Sequence, residues 1–223
     1  MSDQHTTPDF SAAALITIDT QCDVLDGGPL EIPGTSAALA TMRTLLHAFR
    51  DSGRPIVHIV RLYEANGDNV DLCRRSAVQS GTMRALTPGT AGSQIAQELL
   101  PQPGHTLEQE LLLHGGVQHV GPSEVAIYKP RWGAFYRTPL EDHLREQHIT
   151  TTVFCGCNFP NCPRTSIFQA SERDFRVVLA RDAISGLYER GERELTNIGV
   201  HLMSADDVAE ALLAATREPE TGQ

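Results

Sequence analysis

Thr152-Val153-Phe154-Cys155-Gly156-Cys157-Asn158-Phe159-Pro160-Asn161-Cys162-Pro163-Arg164-Thr165 is the stretch on which the fold turns. Residues 151–154 are β-branched and apolar, as in a buried strand. The chain then breaks at glycine, and helical spacing resumes over 163–174. Pro163 fits a first helical turn, where a missing N–H costs nothing. A strand that re-enters as a helix sets the first helical residue at the carboxyl edge of a sheet. Free backbone N–H groups and the positive end of the helix dipole meet there and favour a thiolate. That position makes Cys162 a candidate nucleophile.

The same alternation runs outward in both directions. Residues 12–19 read as a buried strand ending in a carboxylate, and 55–60 as a second strand. Thr35–Asp51 carries Leu39, Met42, Leu45, Leu46 and Phe49 at helical spacing and closes at Gly53. A third strand, 124–129, ends in a charged residue; 151–154 is the fourth, 175–180 the fifth and 200–203 a short sixth. Helices are expected over 93–100, 139–147, 189–198 and 205–216, with a frayed tail after Arg217. Residues 61–90 read as a long functional loop with some helix, and 101–122 as a small excursion. The pattern predicts an α/β fold with three αβα layers around a central, mainly parallel six-stranded sheet. One domain is expected over 1–223, with its core from about 12 to 214. Ligands bind such sheets at the carboxyl ends of the strands, and Asp19, Lys129 and Cys162 all fall there.

Composition bounds the function. The 223 residues are 40% hydrophobic and 21% charged, ordinary for a soluble domain. A formal net charge of −10 argues against nucleic acid, since phosphate contacts need a basic surface. No apolar run approaches the roughly 20 residues of a membrane span. The first nine residues lack the basic start and apolar core of a signal peptide. Five cysteines are an odd count at low density, which points to reduced thiols in the cytoplasm. Cys155, Cys157 and Cys162 lack the paired second half of a zinc site, and the nine histidines show no ligand spacing. A small-molecule substrate is expected as partner, with no metal, cofactor, nucleic acid or membrane.

A cysteine hydrolase needs a thiolate, a group to take the thiol proton, and donors for the developing oxyanion. Asp19 can serve as base. Lys129 can hold that carboxylate, stabilise the thiolate and bring down the thiol pKa. Taken singly, a strand-end Asp is usually a loop cap, a Lys a surface residue and a Cys core filler. Three together at three strand ends form a constellation. Trp132, Phe135 and Phe159 are candidate walls of a substrate pocket, with Gln21 a further substrate contact. Arg131 or Arg164 could hold a substrate carboxylate, though surface pairing is the commoner role for each. His58, inside a strand, reads as a satisfied core residue, and Cys22 as loop filler.

Across residues from about 12 to 214 the chain resembles the isochorismatase-like cysteine hydrolases. Asp19-Thr20-Gln21 is similar to the family's Asp-x-Gln opening. Lys129-Pro130-Arg131-Trp132-Gly133-Ala134-Phe135, with Thr138 and Leu140, resembles its lysine motif, and residues 156–162 its Gly-x5-Cys nucleophile loop. The resemblance implies a Cys162 nucleophile, an Asp19 base and a Lys129 partner. It implies a cis Cys157–Asn158 peptide and an oxyanion hole made by the backbone N–H groups of Asn158 and Cys162. It further implies a homo-oligomer, dimer or tetramer, that cleaves an amide, carbamoyl or lactam C–N bond through a thioester. A cyclic amide such as the streptothricin lactam is one candidate, and an acidic chain suits a cationic substrate. The alternatives are isochorismatase-type vinyl ether hydrolysis and a catalytically silent binding module. The chain departs from the family where members often carry Ala-Thr-Asp-x-Cys; it has Asn158-Phe159-Pro160-Asn161-Cys162. Residues 61–68 lack the histidines of the nicotinamidase metal site, which disfavours both metal and nicotinamide.

Overall fold

The apolar runs form strands that are buried on both faces. The computed structural model describes residues 3–217. In chain order it contains β1 (Ala13–Ile18), α1 (Thr35–Asp51), β2 (Ile56–Val60), α2 (Leu72–Gln79), α3 (Gln109–Leu113), β3 (Val117–Gly121) and β4 (Glu124–Tyr128). Then follow α4 (Leu140–Glu146), β5 (Thr151–Gly156), α5 (Cys162–Ser171), β6 (Arg176–Ile184), α6 (Glu189–Thr196), β7 (His201–Met203) and α7 (Ala205–Arg217). Every residue of β1, β2, β4 and β5 is buried, as in a parallel sheet covered on both sides.

The sheet has seven strands in the order β3-β4-β2-β1-β5-β6-β7, one more than the six expected. The missed strand, β3, pairs antiparallel with β4 at the edge, while the other neighbours are parallel. An edge strand needs only one apolar face. Gln118 and the exposed His119 within β3 hid it from a search for continuous apolar runs. The helix expected over 93–100 is instead two short 3-10 turns, Ala91–Ser93 and Gln97–Leu99. The long 61–90 stretch does contain a helix, α2. The tail after Arg217 lies outside the described residues. No helix among the described residues is long and apolar enough to cross a membrane.

Helices cover both faces. Leu39, Met42, Leu45 and Phe49 of α1 share one core with Val208 and Leu212 of α7. Leu140 and Leu144 of α4, Ile167 of α5 and Leu195 of α6 fill the other. From β1 the chain moves to β2 on one side, and later to β5 on the other. This reversal opens a crevice at the carboxyl ends of β1 and β5, the usual ligand position in such sheets.

A buried polar network ties the centre of the sheet together. Arg50, in the last turn of α1, grips Glu124 through Nε to Oε2 at 2.9 Å and Nη2 to Oε1 at 2.7 Å. His58 Nε2 hydrogen-bonds to Glu124 Oε1 at 2.7 Å, and Nδ1 to Thr17 Oγ1 at 2.8 Å. His58 is thus the satisfied core residue expected. Burial disfavours the Glu124 carboxylate, but the hydrogen bonds from Arg50 and His58 outweigh it and hold its pKa at about 2, below the ordinary 4.5. A pKa depressed on folding contributes stability above the unfolded value, and that stability is lost as pH falls through the folded value. Glu124→Gln should therefore cost about 2–3 kcal/mol at pH 7. Urea unfolding should show the gap to wild type narrowing between pH 4.5 and 2.

Candidate active site

Three strands deliver polar side chains to one edge of the sheet, and a fourth ends there in a glycine. Asp19 follows β1 at φ 52°, a left-handed turn that a short polar residue tolerates. Arg61 follows β2, Lys129 follows β4, and Gly156 closes β5. Only glycine fits at 156: its φ is 116°, and a Cβ there would lie 2.3 Å from the Ile18 carbonyl oxygen. That close approach lets β5 turn beside β1 into the nucleophile loop. The Cys157–Asn158 peptide in this loop is cis. Cys162 is the first residue of α5, with Pro163 behind it in the first turn.

Lys129 is fully buried, and its Nζ donates to Asp19 Oδ2 at 2.9 Å and to the Arg131 carbonyl at 3.4 Å. Asp19 Oδ1 is also buried and has no hydrogen-bond partner among the described residues. Asp19, Cys157, Asn158, Asn161 and Cys162 line the floor of a narrow cleft. Leu30, Ile32 and Leu86 also line it, together with Arg61, Tyr63, Arg74 and Trp132. Among the described residues, neither the Asn158 nor the Cys162 N–H donates to an acceptor within the protein.

The sequence led us to expect a lowered thiol pKa at Cys162. Burial, with the Asp19 carboxylate second, instead pushes it up to about 12, while Lys129 and Arg61 pull only part of the way back. The helix dipole and one ammonium do not offset the lost solvation of a thiolate. The site therefore holds a neutral thiol beside an ion pair whose acid keeps one oxygen free. Chemically, such a set can pass a proton from sulfur to carboxylate while the sulfur attacks an electrophile.

Of the residues proposed to bind substrate, Trp132 lines the cleft. Phe159 does not: its ring is fully buried, edge-on to Tyr188 with centroids 5.4 Å apart. Its N–H is tied to the Ser185 carbonyl at 2.9 Å, which turns the ring away from the cleft. Phe135 also points into the core, 5.9 Å from the Phe175 ring. Gln21 is a brace. Its Oε1 accepts from the Arg61 N–H at 2.7 Å, and its Nε2 donates to the carbonyls of Arg61 at 2.8 Å and Ser93 at 2.6 Å. Arg131 turns back onto the Pro130 carbonyl and Arg164 pairs with Glu194, so neither is in the cleft. Cys155 packs in the core, whereas Cys157 lines the cleft and its Sγ donates to the Asp19 carbonyl at 3.2 Å. Arg61, Tyr63 and Arg74 went unnoticed in the sequence. The position of Arg61, immediately after a strand, was a usable signal. Among the described residues no group of three or more His, Cys, Asp or Glu is arranged to hold a metal ion.

A thiol at about 12 is almost wholly protonated at neutral pH. Iodoacetamide labelling of Cys162 should therefore rise about tenfold per pH unit between pH 7 and 10. Peptide mass spectrometry measures it, and a plateau above pH 8 would contradict the assigned pKa. Asp19→Asn removes one of the charges that raise the thiol pKa, so it should label faster than wild type at the same pH.

The chain is similar to several known proteins. A maleamate amidohydrolase of Pseudomonas putida is 28% identical over 174 residues, covering 77% of this chain and 71% of that protein. A protein of Arabidopsis thaliana described as a probable inactive nicotinamidase is 24% identical over 205 residues, 89% of this chain and 95% of its own. The crystal structure of an isochorismatase family protein from Desulfovibrio vulgaris superposes with a TM-score of 0.75 at 26% identity, over 91% of this chain and 98% of that one. The isochorismatase domain model matches residues 13–109 and 114–207. A match that runs from the first residue of β1 into α7, interrupted only around α3, means that the chain belongs to the isochorismatase domain family.

Proposed function

We infer that the protein is a cysteine hydrolase that cleaves a carbon–nitrogen bond, other than a peptide bond, in a small molecule through a thioester on Cys162. The observation that carries this reading is the buried Lys129–Asp19 pair beside Cys162, with Asp19 Oδ1 left free. The P. putida relative, whose name gives it an amide-hydrolysing activity, supports the same reaction class. All five cysteines are free thiols, as a reducing cytoplasm would keep them.

The raised thiol pKa decides the order of events. Forming a free thiolate at pH 7 from a thiol near 12 would cost about 7 kcal/mol. Proton transfer is therefore coupled to attack. As Sγ adds to the amide carbonyl carbon, Asp19 Oδ1 takes the thiol proton. The N–H groups of Asn158 and Cys162 receive the oxyanion. Asp19 then returns the proton to nitrogen, the C–N bond breaks, and the amine leaves with an acyl thioester remaining. Water attacks that carbonyl, Asp19 takes a proton from it, the C–S bond breaks and the sulfur is reprotonated. The sum is amide plus water to acid plus amine. Lys129 keeps Oδ2 occupied throughout, so the same carboxylate oxygen serves both half-reactions.

Cys162→Ala and Asp19→Asn should each lower kcat/KM by at least about 10³-fold on any amide that wild type turns over. Intact-mass analysis of wild type quenched with acid during turnover should show the mass of one acyl group on Cys162. Near-full activity of Cys162→Ala would instead favour vinyl ether hydrolysis. Absence of turnover on a broad amide panel would favour a silent module.

A further inference from the structure

The whole chain is acidic, but the wall facing Cys162 is not. Arg61 and Arg74 line the same cleft as Cys162. Arg61 is only 2% exposed. Its Nη2 is engaged by Asp71 Oδ2 at 2.5 Å, but its Nη1 is buried with no hydrogen-bond partner among the described residues. A guanidinium offers its donors as a fork, and one tine here is unused. Arg74 has no carboxylate within ion-pair distance among the described residues. Its Nη1 donates to the Tyr63 hydroxyl at 2.7 Å, and its guanidinium lies 4.9 Å from the Trp132 ring centroid.

Both arginines are held in place. Trp132 has Arg61 at 5.9 Å and Arg74 at 4.9 Å from its ring centroid, and Tyr63 takes Arg61 at 5.1 Å. Gln21 clamps the Arg61 backbone on both its N–H and its carbonyl. An unpaired donor on a buried cation is costly in the empty site and is repaid by an arriving anion. Asp19 is matched by Lys129 and Arg61 by Asp71, which leaves Arg74 as the uncompensated charge of the site.

We propose that Arg61 and Arg74 form a carboxylate-binding subsite, and that the substrate is a small amide or carbamoyl compound carrying a carboxylate of its own. This rests on the reading of Cys162 as an amide-cleaving nucleophile. The carboxylate anchors one end of the molecule on the guanidinium wall while the amide carbonyl meets Cys162. Bidentate, charge-assisted hydrogen bonds of this kind are about twice as strong as neutral ones and set orientation as well as affinity. The arrangement disfavours the cationic lactam that the net charge of −10 suggested, because a ligand meets the local field of the cleft rather than the average over the chain.

The test compares succinamate, a primary amide with a carboxylate, against its methyl ester and butyramide, which share the amide without the charge. Wild type should favour succinamate in kcat/KM by about 30-fold or more. Arg74→Gln should collapse that ratio, and Arg74→Lys should retain part of it. Equal or faster turnover of the neutral amides would overturn the subsite and leave the cysteine chemistry standing. A second readout is independent of catalysis. Succinate itself, which has no amide, should raise the Tm of Cys162→Ala, with butyramide at the same concentration having no effect, and Arg74→Gln should abolish the shift. If no amide is turned over, the proposed reaction fails, and the succinate shift alone decides the subsite. A shift that persists in Arg74→Gln, or none in Cys162→Ala, overturns it. Arg61→Gln is the weaker variant, since it strands Asp71 unpaired in a buried position.

Discussion

The buried Lys129–Asp19 pair is the constraint around which the site is arranged. An ammonium with no solvent contact is tolerable only if it is paired, and removing one member of such a pair typically costs about 3–5 kcal/mol. Lys129 reaches from the end of β4 past β2 to the end of β1, so the pair also ties two strand ends together across a third. It assigns the two oxygens of one carboxylate to different work. Oδ2 is held by the lysine and Oδ1 is left as a proton acceptor. The proposed proton transfer and its return to the leaving nitrogen both rely on that asymmetry.

Much of this was legible in the chain, because strand ends and helix starts are local events. Gly156 and Pro163 mark the turn from β5 into α5, and apolar runs ending in Asp19 and Lys129 mark two more strand ends. Direction and burial were not legible. Phe159 looked like a pocket wall from its place in the nucleophile loop, but a hydrogen bond to Ser185, on a distant segment, turns it into the core. Gln21 looked like a ligand contact because it stands two residues after Asp19, yet its amide is consumed by the backbone at Arg61 and Ser93. The thiol pKa went the other way for the same reason. A helix start and a nearby lysine can be read from sequence, whereas the depth at which the sulfur sits cannot. Arg74 gave no signal at all, being one polar residue of a short helix within a polar stretch.

The two halves of the site have different origins in the fold. Acid, lysine and cysteine stand on strands and on the first turn of a helix, where the sheet fixes their spacing. The walls come from the connections: Leu30 and Ile32 from the segment after β1, and Tyr63, Arg74 and Leu86 from the chain between β2 and α3. A small apolar cluster of Val24, Tyr63, Val70, Val78, Leu86 and Cys157 packs these connections over the strand ends. Such connections tolerate change more easily than the sheet does.

The depth of Cys162 has a consequence for durability. Peroxide and stray electrophiles react with sulfur mainly as its anion, and the first step to sulfenic acid follows anionic character and access. Cys162 is buried and burial pushes its thiol pKa up, so it offers little of either. A buried thiol with a raised pKa is expected to oxidise more slowly than a standing thiolate.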